Sequence, residues 1–239
     1  DEIDHNTFEL LELEEPNFEY TWKEAVKEKH IVDCKGFDFS TKFMKEGIKY
    51  ADLSKQQKEQ LESVWEYEKL KKGIPEDEEY HRDIEPEEIN RYLINIDTID
   101  KMLRTLMEKG LRVNNGETIG KTIIFASDHD MATVIVERFR KVYPEYGPDF
   151  CQLIDYSVKN ALDMVKKFCA SGGNTQIAVS VDMLDTGVDA PEVVNLVFYK
   201  RVKSWIKFTQ MKGRGVRLCE KLYGDMDKDC FYIFDWCGN

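Results

Sequence analysis

What this 239-residue chain lacks narrows its chemistry before any motif is read. Its six cysteines, Cys34, Cys151, Cys169, Cys219, Cys230 and Cys237, form no CxxC pair and no Cys/His group with metal spacing, which argues against a zinc site. Scattered thiols in a chain that can bury a core read as reduced, and so point to the cytoplasm. No apolar run approaches the roughly 20 residues that a membrane helix needs, and no signal-peptide pattern is present, so no membrane partner is expected. A surplus of positive charge is missing as well: 34 Lys and Arg face 46 Asp and Glu, for a formal charge of −12. Taken over the whole chain, that balance speaks against nucleic acid.

A phosphate-cradling loop is also absent. Residues 116–122, GETIGKT, resemble one, but the position that a P-loop fills with its first glycine is Asn115. The context is reversed too, since the stretch follows a helical pattern and runs into a strand. It reads as a flexible turn. Without such a loop and without a magnesium-binding carboxylate after a strand, the chain is not expected to hydrolyse ATP by itself.

What is present is an α/β pattern. With 42% hydrophobic and 12% aromatic residues, the chain can bury a core of its own. The opening DEIDHNTFELLEL reads as a continuation rather than a beginning, so a longer parent protein is expected. Residues 21–28 read as a short helix and 30–44 as extended chain. Ser54 and Gln57 form a capping-box signature ahead of a stripe of Leu61, Val64 and Trp65. The run PEDEEYHRDIEPEE sets eight acidic residues against Arg82 and reads as a solvated connector. These features place residues 1–93 in a connector and 94–239 in the main domain.

From residue 94 the pattern is regular. A helix over 94–108 carries Ile99, Met102, Leu103 and Leu106 on one face, with Asp97 as candidate N-cap and Gly110 as the stop. Strands are predicted at 122–126, 150–154, 177–181, 193–199 and 231–234. The intervening helices carry stripes of Ala132, Ile135, Val136 and Phe139, then of Val158, Ala161, Leu162 and Val165. Strands that are apolar on both faces and alternate with amphipathic helices imply a parallel sheet flanked by helices.

The chain is organised around residues 176–219, QIAVSVDMLDTGVDAPEVVNLVFYKRVKSWIKFTQMKGRGVRLC. The basic charge gathers here: Lys200, Arg201, Lys203, Lys207, Lys212, Arg214, Arg217 and Lys221 stand against Glu220 alone between positions 200 and 221. Arg214 and Arg217 are three apart, so on a helical turn they share a face, with Gln210 one turn earlier on that side. Gly187 permits a tight turn beside a ligand. Asp189 just beyond it can accept hydrogen bonds from ribose hydroxyls or hold an arginine in place. Asp182 and Asp185 read either as braces for this loop or as simple solvated carboxylates.

QMKGRGVR resembles motif VI, SVDMLDTGVDAP motif V and KTIIFASDHD motif IV of superfamily 2 helicases and translocases. The wording around them, together with DEIDHNT, resembles the motor (R) subunit of type I restriction enzymes. The resemblance implies a RecA-like second motor domain, with Arg217 as arginine finger, Arg214 as a second γ-phosphate contact and Gln210 near the attacking water. Gly187, Asp189 and Gly213 would line the nucleotide, and Ser127, Ser157, Ser180 and Thr186 would touch nucleic acid backbone.

The resemblance also implies ATP and Mg²⁺, held mainly by a first motor domain of the same full-length chain. Double-stranded DNA, a nuclease domain, and modification and specificity subunits are the implied partners. Two positions depart from the motif: Val216 replaces the usual threonine, and Lys212 replaces an apolar residue. Two other readings stand beside this one, the C-terminal domain of an RNA or DNA-repair helicase and a non-catalytic α/β binding module.

Overall fold

The computed structural model describes residues 20–40, 49–53, 55, 58, 59, 62, 65, 96–185 and 187–239. The predicted capping box at Ser54 and Gln57 and the acidic run therefore lie outside the described residues. Helix α1 (Trp22–Lys27) opens on a closed capping box: Thr21 Oγ1 accepts from the Glu24 N–H, and the Glu24 carboxylate accepts from the Thr21 N–H. Strand β1 (Asp33–Asp38) follows, and then α2 (Ile96–Lys109). A small antiparallel pair, β2 (Arg112–Val113) and β3 (Thr118–Ile119), leads into β4 (Lys121–Ala126). After it come α3 (His129–Val142), β5 (Cys151–Leu153), α4 (Ala161–Cys169) and β6 (Ile177–Ser180). Strand β7 (Val193–Tyr199), α5 (Trp205–Lys212) and β8 (Cys230–Asp235) complete the chain.

Among the described residues, six strands form one sheet in the order β1-β8-β7-β4-β6-β5, and every pairing in it is parallel. Alternation along β4 shows how both faces are filled. Ile124 and Ala126 pack with α2 and α3, through Ile99, Leu103, Ile135 and Phe139; Ile123 and Phe125 pack on the other side with Phe168 of α4 and Met211 of α5. This is the helix-flanked parallel sheet that the strand pattern predicts, a RecA-like α/β fold. Strand β1 comes from the segment read as a connector and pairs with β8 along its whole length, from Asp33 opposite Cys230 to Asp38 opposite Asp235. Part of that segment is thus built into the sheet.

Two details of the helices differ from the sequence reading. Asp97 lies inside the first turn of α2 rather than at its cap. In α4 the inward face is Ala161, Met164, Val165 and Phe168, whereas Leu162 is 70% exposed and Val158 sits in the turn before the helix. The stripe predicted there starts one turn too early, because the chain turns at Asn160, whose backbone is left-handed, before the helix begins.

Two buried polar side chains of the sheet, Asn195 and Lys121, have partners. The buried Asn195 side chain accepts from Leu111 N at 2.8 Å and donates to Leu111 O at 3.1 Å, which ties the end of α2 to β7. Lys121, the lysine of the P-loop look-alike, is 2% exposed and bonds Glu192 at 3.0 Å and Ala170 O at 2.5 Å. It serves the interior and has no free ammonium to offer a phosphate.

A four-residue ion cluster joins the loop after β6 to the loop and helix after β7. Lys200 Nζ lies 3.2 Å from Asp182 and 3.3 Å from Asp185, and Lys207 Nζ lies 2.9 Å and 3.3 Å from the same two carboxylates. Lys200 also donates to Val181 O. Burial pushes the Asp185 carboxyl up, against the pull of Lys200 and Lys207. For Asp182, burial acts in the same sense, but the bond from Lys207 and the charge of Lys200 outweigh it and hold the carboxyl below its ordinary range. Both aspartates therefore brace the loop, and the reading of them as merely solvated falls away.

Two predictions follow from these contacts. Lys200→Met leaves Asp185, whose side chain is 4% exposed, without its most buried counter-charge. It should lower unfolding free energy by about 3 kcal/mol in urea titration. The second concerns Arg138, which binds both oxygens of Asp100 at 2.8 and 2.5 Å, pins α3 to α2 and holds that carboxyl below its usual value. A depressed carboxylate contributes stability above the unfolded-state pKa of about 3.9, and that contribution is lost as pH falls through the folded value. Asp100→Asn should therefore lower Tm at neutral pH and flatten the acid limb of a Tm-against-pH profile.

Candidate nucleotide and nucleic-acid interface

Helix α5 is capped by Ser204, whose Oγ accepts from Lys207 N, and ends at Lys212 with Gly213 as its C-cap. The two arginines therefore do not lie on one helix. Arg214 sits in the turn that follows, where its N–H donates to Met211 O at 3.0 Å, and Arg217 lies in the chain beyond that turn. They converge all the same. Arg214 donates through Nη1 to Val188 O, and Arg217 Nε lies 3.1 Å from Asp189 Oδ1. The loop they reach turns at Gly187, where φ is +72° and the left-handed backbone suits glycine.

The spacing between the arginines is fixed from below. Gly215 is buried against the ring of Phe231 in β8, and a Cβ at this position would stand 2.2 Å from Phe231 Cδ2. Val216 O accepts from Val32 N at 3.0 Å. Burial first, and then the nearby Arg217, lower the affinity of the Arg214 guanidinium for its proton. Two cations thus stand together beside one carboxylate, Asp189, and the Arg217–Asp189 pair is solvent-exposed, 61% and 67%. Such a pair can accept a further anion, because its neutralisation is incomplete and its guanidinium edges face water. Gln210 is exposed one turn before Arg214, and its carbonyl receives Arg214 Nε at 3.4 Å.

A second group lies at the carboxyl ends of β4 and β5, the edge at which open parallel sheets bind ligands. Ser127 Oγ donates to Asp128 at 2.8 Å, and Asp128 caps α3 through Met131 N. Ser157 Oγ lies 2.9 Å from His129 Nδ1, and Asp155 Oδ2 lies 2.8 Å from the same nitrogen. Burial works to raise the Asp155 carboxyl, yet the Ser157 N–H and His129 outweigh it. Sequence reading singled out Ser127 and Ser157 but not the His129–Asp155 link between them. Residues 26 positions apart carry no local signal of contact.

Ser180 does not belong to such a surface. It is fully buried, and its Oγ accepts from Leu184 N at 3.2 Å, so its hydroxyl shapes the loop from within. Thr186 lies outside the described residues. Among the described residues no three His, Cys, Asp or Glu side chains are grouped to hold a metal ion, and no helix is long and apolar enough to cross a membrane.

Comparison with known proteins agrees with this architecture. Over 230 residues, 92% of this chain, the sequence is 30% identical to the type I restriction enzyme EcoKI endonuclease subunit of Escherichia coli strain K12. The chain spans 18% of that relative's length. A fragment structure assigned to the HsdR subunit of a type I restriction enzyme from Vibrio vulnificus YJ016 superposes with a TM-score of 0.62 at 20% identity, covering 99% of this chain and 37% of that one. The helicase conserved C-terminal domain matches residues 95–219, more than half of the sequence, and the chain therefore belongs to that family.

Proposed function

We propose that this chain is the second motor domain of a type I restriction enzyme's double-stranded DNA translocase, and that it completes an ATPase site begun by a first motor domain. The observation that carries the reading is the convergence of Arg214 and Arg217 on residues 188–189, Arg214 at the Val188 carbonyl and Arg217 at the Asp189 carboxylate. Similarity to the EcoKI endonuclease subunit over most of the chain supports the restriction context. That context extends to a nuclease domain in the same full-length chain and to modification and specificity subunits as partners.

Phosphoryl transfer to water depends on positioning and on neutralising charge that develops on the transferred group. Arg217, exposed and oriented by Asp189, supplies a fixed positive charge at the γ-phosphate. Arg214, anchored at Val188 O, supplies a second, and the Gln210 amide orients the attacking water from the preceding helical turn. Gly187 lets the loop backbone approach the nucleotide, and Gly213 ends α5 so that the chain can turn Arg214 toward it. In this reading Mg²⁺ accompanies ATP and is held mainly by the first motor domain. Ser127 and Ser157, at the carboxyl edge of the sheet, contact the DNA backbone, as does Thr186.

The test is Arg217→Ala in the complete motor subunit. DNA-stimulated ATP turnover should fall by about 10³-fold or more, with nucleotide binding much less affected. Unchanged turnover removes the assignment. Stimulation of the parent protein by RNA and not by duplex DNA would place the chain among RNA helicases instead.

A further inference from the structure

Lys212 and Trp22 form a contact that the ATPase reading above does not use. The Lys212 ammonium stands 3.8 Å from the centroid of the Trp22 ring, close enough for a direct cation–π interaction. Lys212 is the last residue of α5, two positions before Arg214. Trp22 is the first residue of α1, and its indole Nε1 donates to Asp33 Oδ1 at 3.1 Å, at the start of β1. Asp33 also receives the Cys34 N–H at 2.8 Å. A second tie lies on the far side of Arg214, where Val32 N donates to Val216 O at 3.0 Å. The segment formed by α1, Val32 and β1 therefore grips the arginine turn at both ends, at Lys212 before Arg214 and at Val216 between Arg214 and Arg217.

Each tie alone is small. Together they bear on the turn that carries Arg214, beside its backbone bonds from Arg214 N to Met211 O and from Gly215 N to Lys212 O and the side-chain ties of Arg214 to Val188 O and of Arg217 to Asp189. Phe231 fixes the floor beneath Gly215. Trp22 and Val32 fix the flanks.

We infer that Trp22 is a positioning residue for the ATPase arginines, acting through Lys212, and that the α1–β1 segment is the clamp that sets their reach. The inference rests on the reading of Arg214 and Arg217 as groups that act on ATP. It makes the segment ahead of the main domain part of the catalytic geometry, and it gives Lys212, a departure from the usual motif, a use.

The experiment compares Trp22→Ala, Trp22→Phe, Lys212→Ala, the Trp22→Ala/Lys212→Ala double variant and Arg217→Ala in the complete motor subunit. DNA-stimulated kcat and KM for ATP are measured alongside Tm. Trp22→Ala and Lys212→Ala should each lower kcat by about 10- to 100-fold while leaving KM for ATP within about twofold, since a misplaced catalytic group loses rate before it loses substrate. The double variant should be no worse than either single one, and Trp22→Phe, which keeps a ring face for the ammonium, should restore most of kcat.

A kcat for Lys212→Ala within about twofold of the parent, losses that multiply in the double variant, or no rescue by phenylalanine would each overturn the clamp. Because Lys212 lies outside the hydrophobic core, that variant keeps the test decisive if Trp22→Ala fails to fold. If Arg217→Ala alone is fully active, the site assignment falls. If Arg217→Ala is inactive while the Lys212 variant is normal, only the clamp falls.

Discussion

Two guanidinium groups of like charge have to be held together against their own repulsion, and the rest of the site depends on how that is done. Each is bound to a different part of the same short loop, Arg214 to the carbonyl of Val188 and Arg217 to the carboxylate of Asp189. Neither bond would form if the chain between them took another path. Gly215 fixes that path because its backbone lies on the ring of Phe231, where no side chain fits. The sheet thus places the arginines indirectly: β8 supplies a floor, the turn rests on it, and the charged groups extend from the turn.

The loop that receives them is held in the same economical way. Lys200 and Lys207 share Asp182 and Asp185, so the stretch after β6 and the start of α5 are joined by ion pairs at one end, while the arginines join loop and turn at the other. A shift of the loop therefore has to carry α5 with it. In the proposed reading, where a separate lobe completes the site, this matters more than local stability, since it would let the cationic edge approach or withdraw as one body.

Much of the fold was legible because parallel strands buried on both faces leave unbroken apolar runs, and β7 was read to the residue from VVNLVFY. The helical stripes were legible for α2 and α3, whose apolar residues pack into one core cluster on the same side of the sheet. In α4, Leu162 belongs to the apolar pattern but points to solvent, and nothing in the sequence marks that the chain first turns at Asn160. The arginines were found as a pair on the strength of their spacing. A helix carrying both was expected, but Gly213 ends it first, and convergence comes from the loop they bind.

Contacts between distant residues were invisible by nature: Trp22 over Lys212 and His129 beside Asp155 have no periodicity to betray them. Ser180 was named through the resemblance to motif V, yet the loop folds back over it and the Leu184 N–H reaches its hydroxyl.

Among the described residues, the outermost strand on one side of the sheet is β1, DCKGFD, with Asp33, Lys35 and Asp38 along it and a glycine at its centre. Charged and flexible rims of this kind discourage a neighbouring molecule from adding its own strand. Strand β8, CFYIFD, which β1 covers, is a poor rim by the same measure, being almost wholly apolar. A shortened protein that starts after residue 38 would expose that apolar ladder, and self-association into insoluble material would be the natural result.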